Sequence, residues 1–247
     1  MTTTAIVDAY GAGRLLPAAL RLRGVDFVHV RSPFPDTRLV YRPEDFAVDL
    51  EHTGDIERTA QTLRKLGVDW VVAAAESGVL LADELSAALG VPGNDPRHSV
   101  ARRNKYAMQQ AVRAAGLAAA DCLCSSSVEE VTGWATGRGR WPVVLKPVLS
   151  AGTDNVFICH TVEEVATAHA RIMASVDRYG QRNTVVLAQQ FLSGAEHYVN
   201  SVSRDGVHRI VEVWRYHKRL VDGHSVYDYE DLLALDEPGG QDIVSYV

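Results

Sequence analysis

The chain has little cysteine, no long apolar run and no surplus of positive charge, and each shortage removes a class of protein. Three cysteines in 247 residues (Cys122, Cys124, Cys159) are an odd number without metal-ligand spacing, since one residue separates the first two. They read as reduced thiols, not as a disulfide framework. None of the nine histidines forms a pair at metal-binding spacing. No apolar stretch approaches the roughly 20 residues that a membrane helix needs. The amino-terminal TTTAIVDAY has no basic region leading into a long apolar one. These features predict no signal peptide, no membrane partner and a cytoplasmic location. A formal net charge of −6 argues against nonspecific nucleic-acid binding, which requires a basic face. Internal repeats and low-complexity segments are also missing. What the chain does have is 47% hydrophobic residues, enough for a substantial core in one to two domains.

Over the first 95 residues, strand and helix patterns alternate. Strands are expected at residues 4–10, 27–30 and 68–74, and helices at 14–23, 55–66 (capped by Asp55) and 78–89. That alternation implies a parallel, doubly wound α/β sheet. The turn Gly11-Ala12-Gly13 tempts a dinucleotide reading, but Leu16 stands where the third glycine belongs. A tight strand-to-helix turn is the better account. Glu76 and Ser77 follow the third strand, where open α/β sheets place ligands, and are candidates for substrate contact. Residues 91–99, with two prolines and a glycine, read as a linker.

The chemistry-bearing stretch is WPVVLKPVLSAGTDNV, residues 141–156. Val143, Val144 and Leu145 read as a buried strand that Pro147 ends. Lys146 stands at its tip, and Ser150, Ala151, Gly152 and Thr153 form a turn whose amides can approach an anion. Lys146 supplies a point charge beside that turn, a pairing suited to a nucleotide triphosphate. Three further segments join it. A helix at residues 102–117 carries Lys105 in its first turn, where a bare cation opposes the helix dipole. An apolar strand runs into Gln189, Gln190, Phe191 and Leu192, then a Ser193-Gly194 turn, then Glu196 at the start of an alternating strand. Residues 209–233 read as a strand followed by a loop rich in Trp, Tyr, Arg, Lys and acids, suited to a small charged substrate. Residues 133–140 are expected to be a flexible basic tip.

In that order, Lys105, Lys146 with its loop, QQFLSGAE and VYDYE resemble an ATP-grasp carboxylate–amine ligase. The likeness is nearest to the L-amino-acid ligases that build dipeptides and peptide-like products, with D-alanine–D-alanine ligase more distant. It covers nearly all of the chain. It implies an α/β ATP-grasp fold: a Rossmann-like parallel sheet (1–95), a linker and helix (96–120), a small α+β lid (121–190) and the start of the large ATP-grasp sheet (191–247). That last sheet reads as truncated.

The resemblance implies ATP and Mg2+ as cofactors. Lys105 and Lys146 would contact the phosphates, with the loop of Ser150, Gly152 and Thr153 closing over them. The backbone of Gln190 and Leu192, beside Gln189 and Phe191, would hold the adenine edge, and Glu196 the ribose. Arg215 is the candidate catalytic group, pairing a carboxylate or the transferring phosphoryl, while Trp214, Tyr216 and Lys218 shape the substrate end. Two departures stand out. Many relatives carry a carboxylate where this chain has Gln189 or Gln190, and the phosphate loop has only one glycine. No residue is assigned to the metal, because relatives place those ligands on strands later than any here. The implied reaction joins a carboxylate and an amine, both amino acids, through an acyl phosphate, and a homodimer is compatible with it. Two other classes stay open: a nucleotide-binding module without catalysis, and a dinucleotide-dependent oxidoreductase built on the first region.

Overall fold

The computed structural model describes residues 2–33, 40–221 and 224–246. The first region is built outward from β1 (Thr3–Val7), whose Ala5, Ile6 and Val7 are fully buried. It continues through α1 (Leu16–Arg21), β2 (Asp26–Arg31), β3 (Asp49–Glu51), α2 (Ile56–Lys65), β4 (Val68–Ala73) and α3 (Val79–Leu89). The sheet order is β3-β2-β1-β4, and every pair is parallel. Leu63 of α2 and Leu85 of α3 close its core against Val7, Val28 and Val30. Asp55 caps α2, its Oδ1 accepting from Arg58 N at 2.9 Å. The expected strand at 4–10 stops at Val7 because Asp8 turns into the left-handed region, φ +57°. Gly13 is accounted for by packing: the end of β4, at the Ala74 carbonyl, leaves no room for a Cβ there.

The expected helix at 102–117 is two helices, α4 (Ser99–Arg103) and α5 (Lys105–Ala114). Asn104 separates them in an extended conformation, and its Oδ1 accepts from Tyr106 N and Ala107 N, both at 3.0 Å. An α+β layer follows: β5 (Cys122–Ser125), α6 (Val128–Arg138), β6 (Val143–Lys146), β7 (Phe157–Cys159), α7 (Val162–Ala174) and β8 (Val186–Gln190). Its antiparallel sheet runs β5-β8-β6-β7. One sheet face, with Val143, Leu145, Val186 and Ala188, packs on Val131 and Ala135 of α6 and Val165 and Ile172 of α7.

Residues 133–138 are therefore helical and not a flexible tip. Ser127 caps α6 by accepting from Glu130 N at 3.2 Å, and Gly139 ends it at φ +61°. Arg138 is held by Asp121 at 2.7 Å and lies over the Trp134 ring.

The chain divides into two compact units, Met1–Gln190 and Phe191–Val247. The second contains β9 (Glu196–Arg204), β10 (Val207–Val221), β11 (His224–Leu232) and α8 (Pro238–Tyr246). Its sheet is antiparallel in the order β11-β10-β9. The VYDYE segment, expected in a loop, is part of β11. Tyr216 pairs with Glu230, His217 with Tyr229 and, past a bulge, Lys218 with Tyr227. The terminal helix begins at Pro238, earlier than the expected 241, and Val247 lies outside the described residues.

Candidate functional site

Strand register decides which side chains share a surface in the β5-β8-β6-β7 sheet. Cys122, Gln189, Val144 and Ile158 stand in one row across β5, β8, β6 and β7, and Cys124, Leu187 and Lys146 in the next row on the same face. Lys146 and Gln189 therefore lie on the face turned away from α6 and α7. Gln190 lies on the other face. Its Oε1 accepts from Asp121 N at 3.2 Å, and its own N–H donates to the Asp121 carbonyl at 2.9 Å. The Gln190 N–H is thus paired within the unit. Gln189 is the amide left on the lysine's side.

The loop after β6 is drawn tight by its own polar groups. Ser150 is 2% exposed; its hydroxyl donates to Asp154 Oδ2 at 2.5 Å and accepts from Arg178 N at 3.2 Å. Gly152, Thr153 and Asn155 all adopt positive φ, +65°, +58° and +51°. For a β-branched threonine that conformation is strained. The backbone of Gly152, φ +65°, is one that favours glycine, and the tip of the Arg178 side chain lies against it. Lys105, at the first position of α5, places its Nζ on the Ser150 carbonyl, and its N–H donates to Val148 O at 3.0 Å. Burial pushes the Lys105 ammonium below its usual range; Glu76 opposes that shift and Arg103 adds to it. The structure thus brings Lys105, Ser150, Gly152 and Thr153 into one cluster directly after Lys146.

A second constellation occupies the carboxyl end of the parallel sheet. Asp8 is fully buried and accepts from Ser32 N at 2.7 Å, Ser32 Oγ at 2.6 Å and Ser77 Oγ at 2.6 Å. Glu76 forms an ion pair with Arg103, whose side chain is 7% exposed. Arg103 also donates to Leu149 O at 3.2 Å and lies 4.9 Å over the Tyr179 ring. A cleft of about 220 Å³ opens among these residues, lined by Ser32, Ser77, Glu84, Arg103, Asp177 and Tyr179 among others. Glu76 and Ser77 were read from the sequence. Asp8, Ser32 and Arg103 were not, although Asp8 ends the first strand, where such sheets place ligands, and Arg103 stands two residues before Lys105.

In the second unit, Glu196, Tyr216 and Glu230 stand in one row across the sheet, and Tyr198, Trp214 and Leu232 in another on the same face. Glu196 pairs with Lys218 at 2.5 Å, and the lysine lies 4.7 Å over the Tyr227 ring. Tyr198 donates to Glu230 at 2.8 Å and stacks on Trp214. The Trp214 indole N–H is buried there without an acceptor. Trp214, Tyr216, Lys218 and Glu196 are thus brought together, while Arg215 is on the opposite face, between His197 and Asp231, and exposed. Phe191 and Leu192 are 40% and 61% exposed at the start of this unit. Among the described residues, no three or more His, Cys, Asp or Glu side chains are grouped to hold a metal ion. No helix among them is long and apolar enough to cross a membrane.

No protein-family model matches the chain. It is 34% identical over 248 residues to dapdiamide A synthase of Enterobacter agglomerans, an alignment taking in 98% of this chain and 58% of that protein. An L-amino acid ligase structure from Bacillus licheniformis superposes with a TM-score of 0.65 at 17% identity, over 87% of this chain and 50% of that one. N5-carboxyaminoimidazole ribonucleotide synthetase, solved as its ADP complex, gives a TM-score of 0.74 at 14% identity, over 99% of this chain and 61% of that one. The chain therefore spans between half and about three fifths of the length of these proteins.

Proposed function

Because this chain belongs to the ATP-grasp carboxylate–amine ligases, we propose that it acts in ATP-dependent amide-bond formation between two amino acids. The observation that carries this reading is the convergence of Lys105 on the Ser150 carbonyl, in the tight loop that follows Lys146. Two cations and a turn of amides at one end of a sheet suit a polyphosphate. Lys105 is desolvated and bonded to a neutral carbonyl. An anionic phosphate oxygen is the stronger acceptor, so nucleotide would draw Lys105 off the loop.

In the proposed reaction a carboxylate oxygen attacks the γ-phosphorus of ATP and expels ADP, leaving an acyl phosphate. The amine then attacks the acyl carbon, sheds a proton, and inorganic phosphate departs. Lys105 and Lys146 neutralise phosphate charge, Gln189 offers an acceptor to the adenine amino group, and the loop excludes water that would hydrolyse the acyl phosphate. Magnesium would add phosphate neutralisation, and no residue is assigned to it. The division into segments 1–95, 96–120, 121–190 and 191–247, a cytoplasmic location and a homodimer belong to the same proposal.

The test is thermal melting with ATP, ADP and NAD(P). Ligand a hundredfold above its dissociation constant stabilises by ~2.7 kcal/mol. A response to NAD(P) without one to ATP overturns the reading. ADP release against pairs of amino acids, with mass detection of the product, then identifies the substrates.

A further inference from the structure

The cleft at the carboxyl end of the parallel sheet has a polarity set by hidden protons. Each serine hydroxyl has one proton to give, and Ser32 and Ser77 both give theirs to Asp8 Oδ2 at 2.6 Å. Asp8 Oδ1 is taken up by the Ser32 N–H. The two hydroxyl oxygens are therefore left with lone pairs only, backed by a fully buried carboxylate. A wall of that kind accepts hydrogen bonds and cannot donate them, so it favours a charged donor over an anion. Glu84 and Asp177 add negative charge to the same cleft.

The one guanidinium in the lining is Arg103. It is fixed by the Leu149 carbonyl, the Tyr179 ring and Glu76, whose carboxylate pairs with its Nη1. The cleft thus has a donor end and an acceptor end, with Leu80, Leu81 and Leu149 between them. Its volume of about 220 Å³ suits one small zwitterion and is below the usual range for larger ligands. Asp8 holds a left-handed backbone, φ +57°, at this position. Such a conformation in a non-glycine residue persists where surrounding contacts demand it.

We infer that this cleft binds an α-amino acid with its ammonium on the Ser32 and Ser77 oxygens and its carboxylate toward Arg103, and that Asp8 is the positioning residue that sets this polarity. The inference rests on the ligase reading and assigns one of its amino-acid substrates to particular groups.

The experiment is a binding titration of the chain by thermal shift and calorimetry. The probes are the twenty amino acids, followed by the des-amino acid and decarboxylated amine of the tightest binder. Hydrogen bonds to a charged group correspond to roughly ten- to a hundredfold in affinity, so the des-amino acid should bind at least tenfold more weakly than the amino acid. In Asp8→Asn the amide nitrogen that replaces Oδ2 donates, both serine protons lose their acceptor and must turn away from it, and the amino acid's advantage over its des-amino analogue should collapse. A clamp that only tied the strand ends together would weaken both probes alike. Should Asp8→Asn fail to fold, Ser77→Ala removes one acceptor while Asp8 keeps both bonds from Ser32, and the same ratio is read. Equal binding of amino acid and des-amino acid by the parent, or an unchanged ratio in the variant that folds, overturns the inference. An ATP titration of the same protein separates the two claims: ATP stabilisation without amino-acid preference sinks this inference alone, and no ATP stabilisation sinks the ligase reading itself.

Discussion

Lys146 and Lys105 are the two cations whose removal tests the phosphate site, and Lys105→Ala should weaken ATP binding as Lys146→Ala does. Lys146 ends a strand, and an ammonium at a strand end contributes little to folding. Lys146→Ala should abolish stabilisation by ATP while leaving the unliganded melting temperature nearly unchanged, and normal ATP binding by that variant would refute the assignment. His29 makes a different kind of prediction. It is fully buried, its Nε2 accepts from Ala9 N at 2.9 Å, and its Nδ1 faces Asp49 Oδ1 at 3.0 Å. The ring must be neutral, because an accepting Nε2 carries no proton. Burial, opposed by Asp49, pushes its pKa below the ordinary 6.5. The unfolded chain therefore takes up a proton that the folded chain refuses. The contribution of the neutral ring is complete above about pH 6.5 and is lost as pH falls toward the folded value, at up to about 1.4 kcal/mol per pH unit. Melting curves between pH 7 and 5 should slope less steeply in His29→Gln than in the parent. Parallel slopes would show that another group governs the acid side.

The helix α6 runs through two glycines with ordinary helical backbone, and space is open around each: a Cβ at Gly133 or Gly137 would meet nothing within 4 Å. Gly133→Ala and Gly137→Ala should each raise unfolding free energy by ~0.5–1 kcal/mol, because glycine loses more backbone freedom on folding. Denaturant titration checks this, and a loss of stability in both would mean that the segment is not helical. The same two glycines, with Arg138 and Arg140, explain why the sequence read as a flexible tip. Propensity is a weak prior, and burial of Val131 and Ala135 against the sheet overrides it. The strand containing VYDYE escaped for the opposite reason: both its faces carry polar or aromatic side chains, so no apolar alternation marks it. By contrast, β6, α2 and α7 were legible because their buried residues recur at the strand or helix period. Lys146, Lys105 and the 150–155 loop were legible as local pattern. Asp8 with Ser32 and Ser77 was not, since those partners lie 24 and 69 residues away in sequence.

At the scale of the whole molecule, buried apolar side chains are shared very unevenly. Both hydrophobic clusters lie within residues 1–190, while Val213 is the one buried hydrophobic residue among the described side chains of 191–247. A three-stranded sheet and one short helix with so small a core fall below what a domain needs to fold alone. Residues 1–190 expressed alone should keep a cooperative thermal transition, whereas 191–247 alone should give none by circular dichroism. A sharp transition in the second fragment would show that its aromatic face suffices as a core. The row shared by Gln189 and Val144, and the neighbouring row with Lys146, have a further consequence for how this sequence can change over time. Alternate residues of β6 serve opposite faces, so inserting or deleting one residue within that strand would turn Lys146 into the α6–α7 core and bring Leu145 out to take its place. Substitutions can accumulate along these strands one at a time, but changes in length cannot. Length variation should therefore be confined to the connections between them.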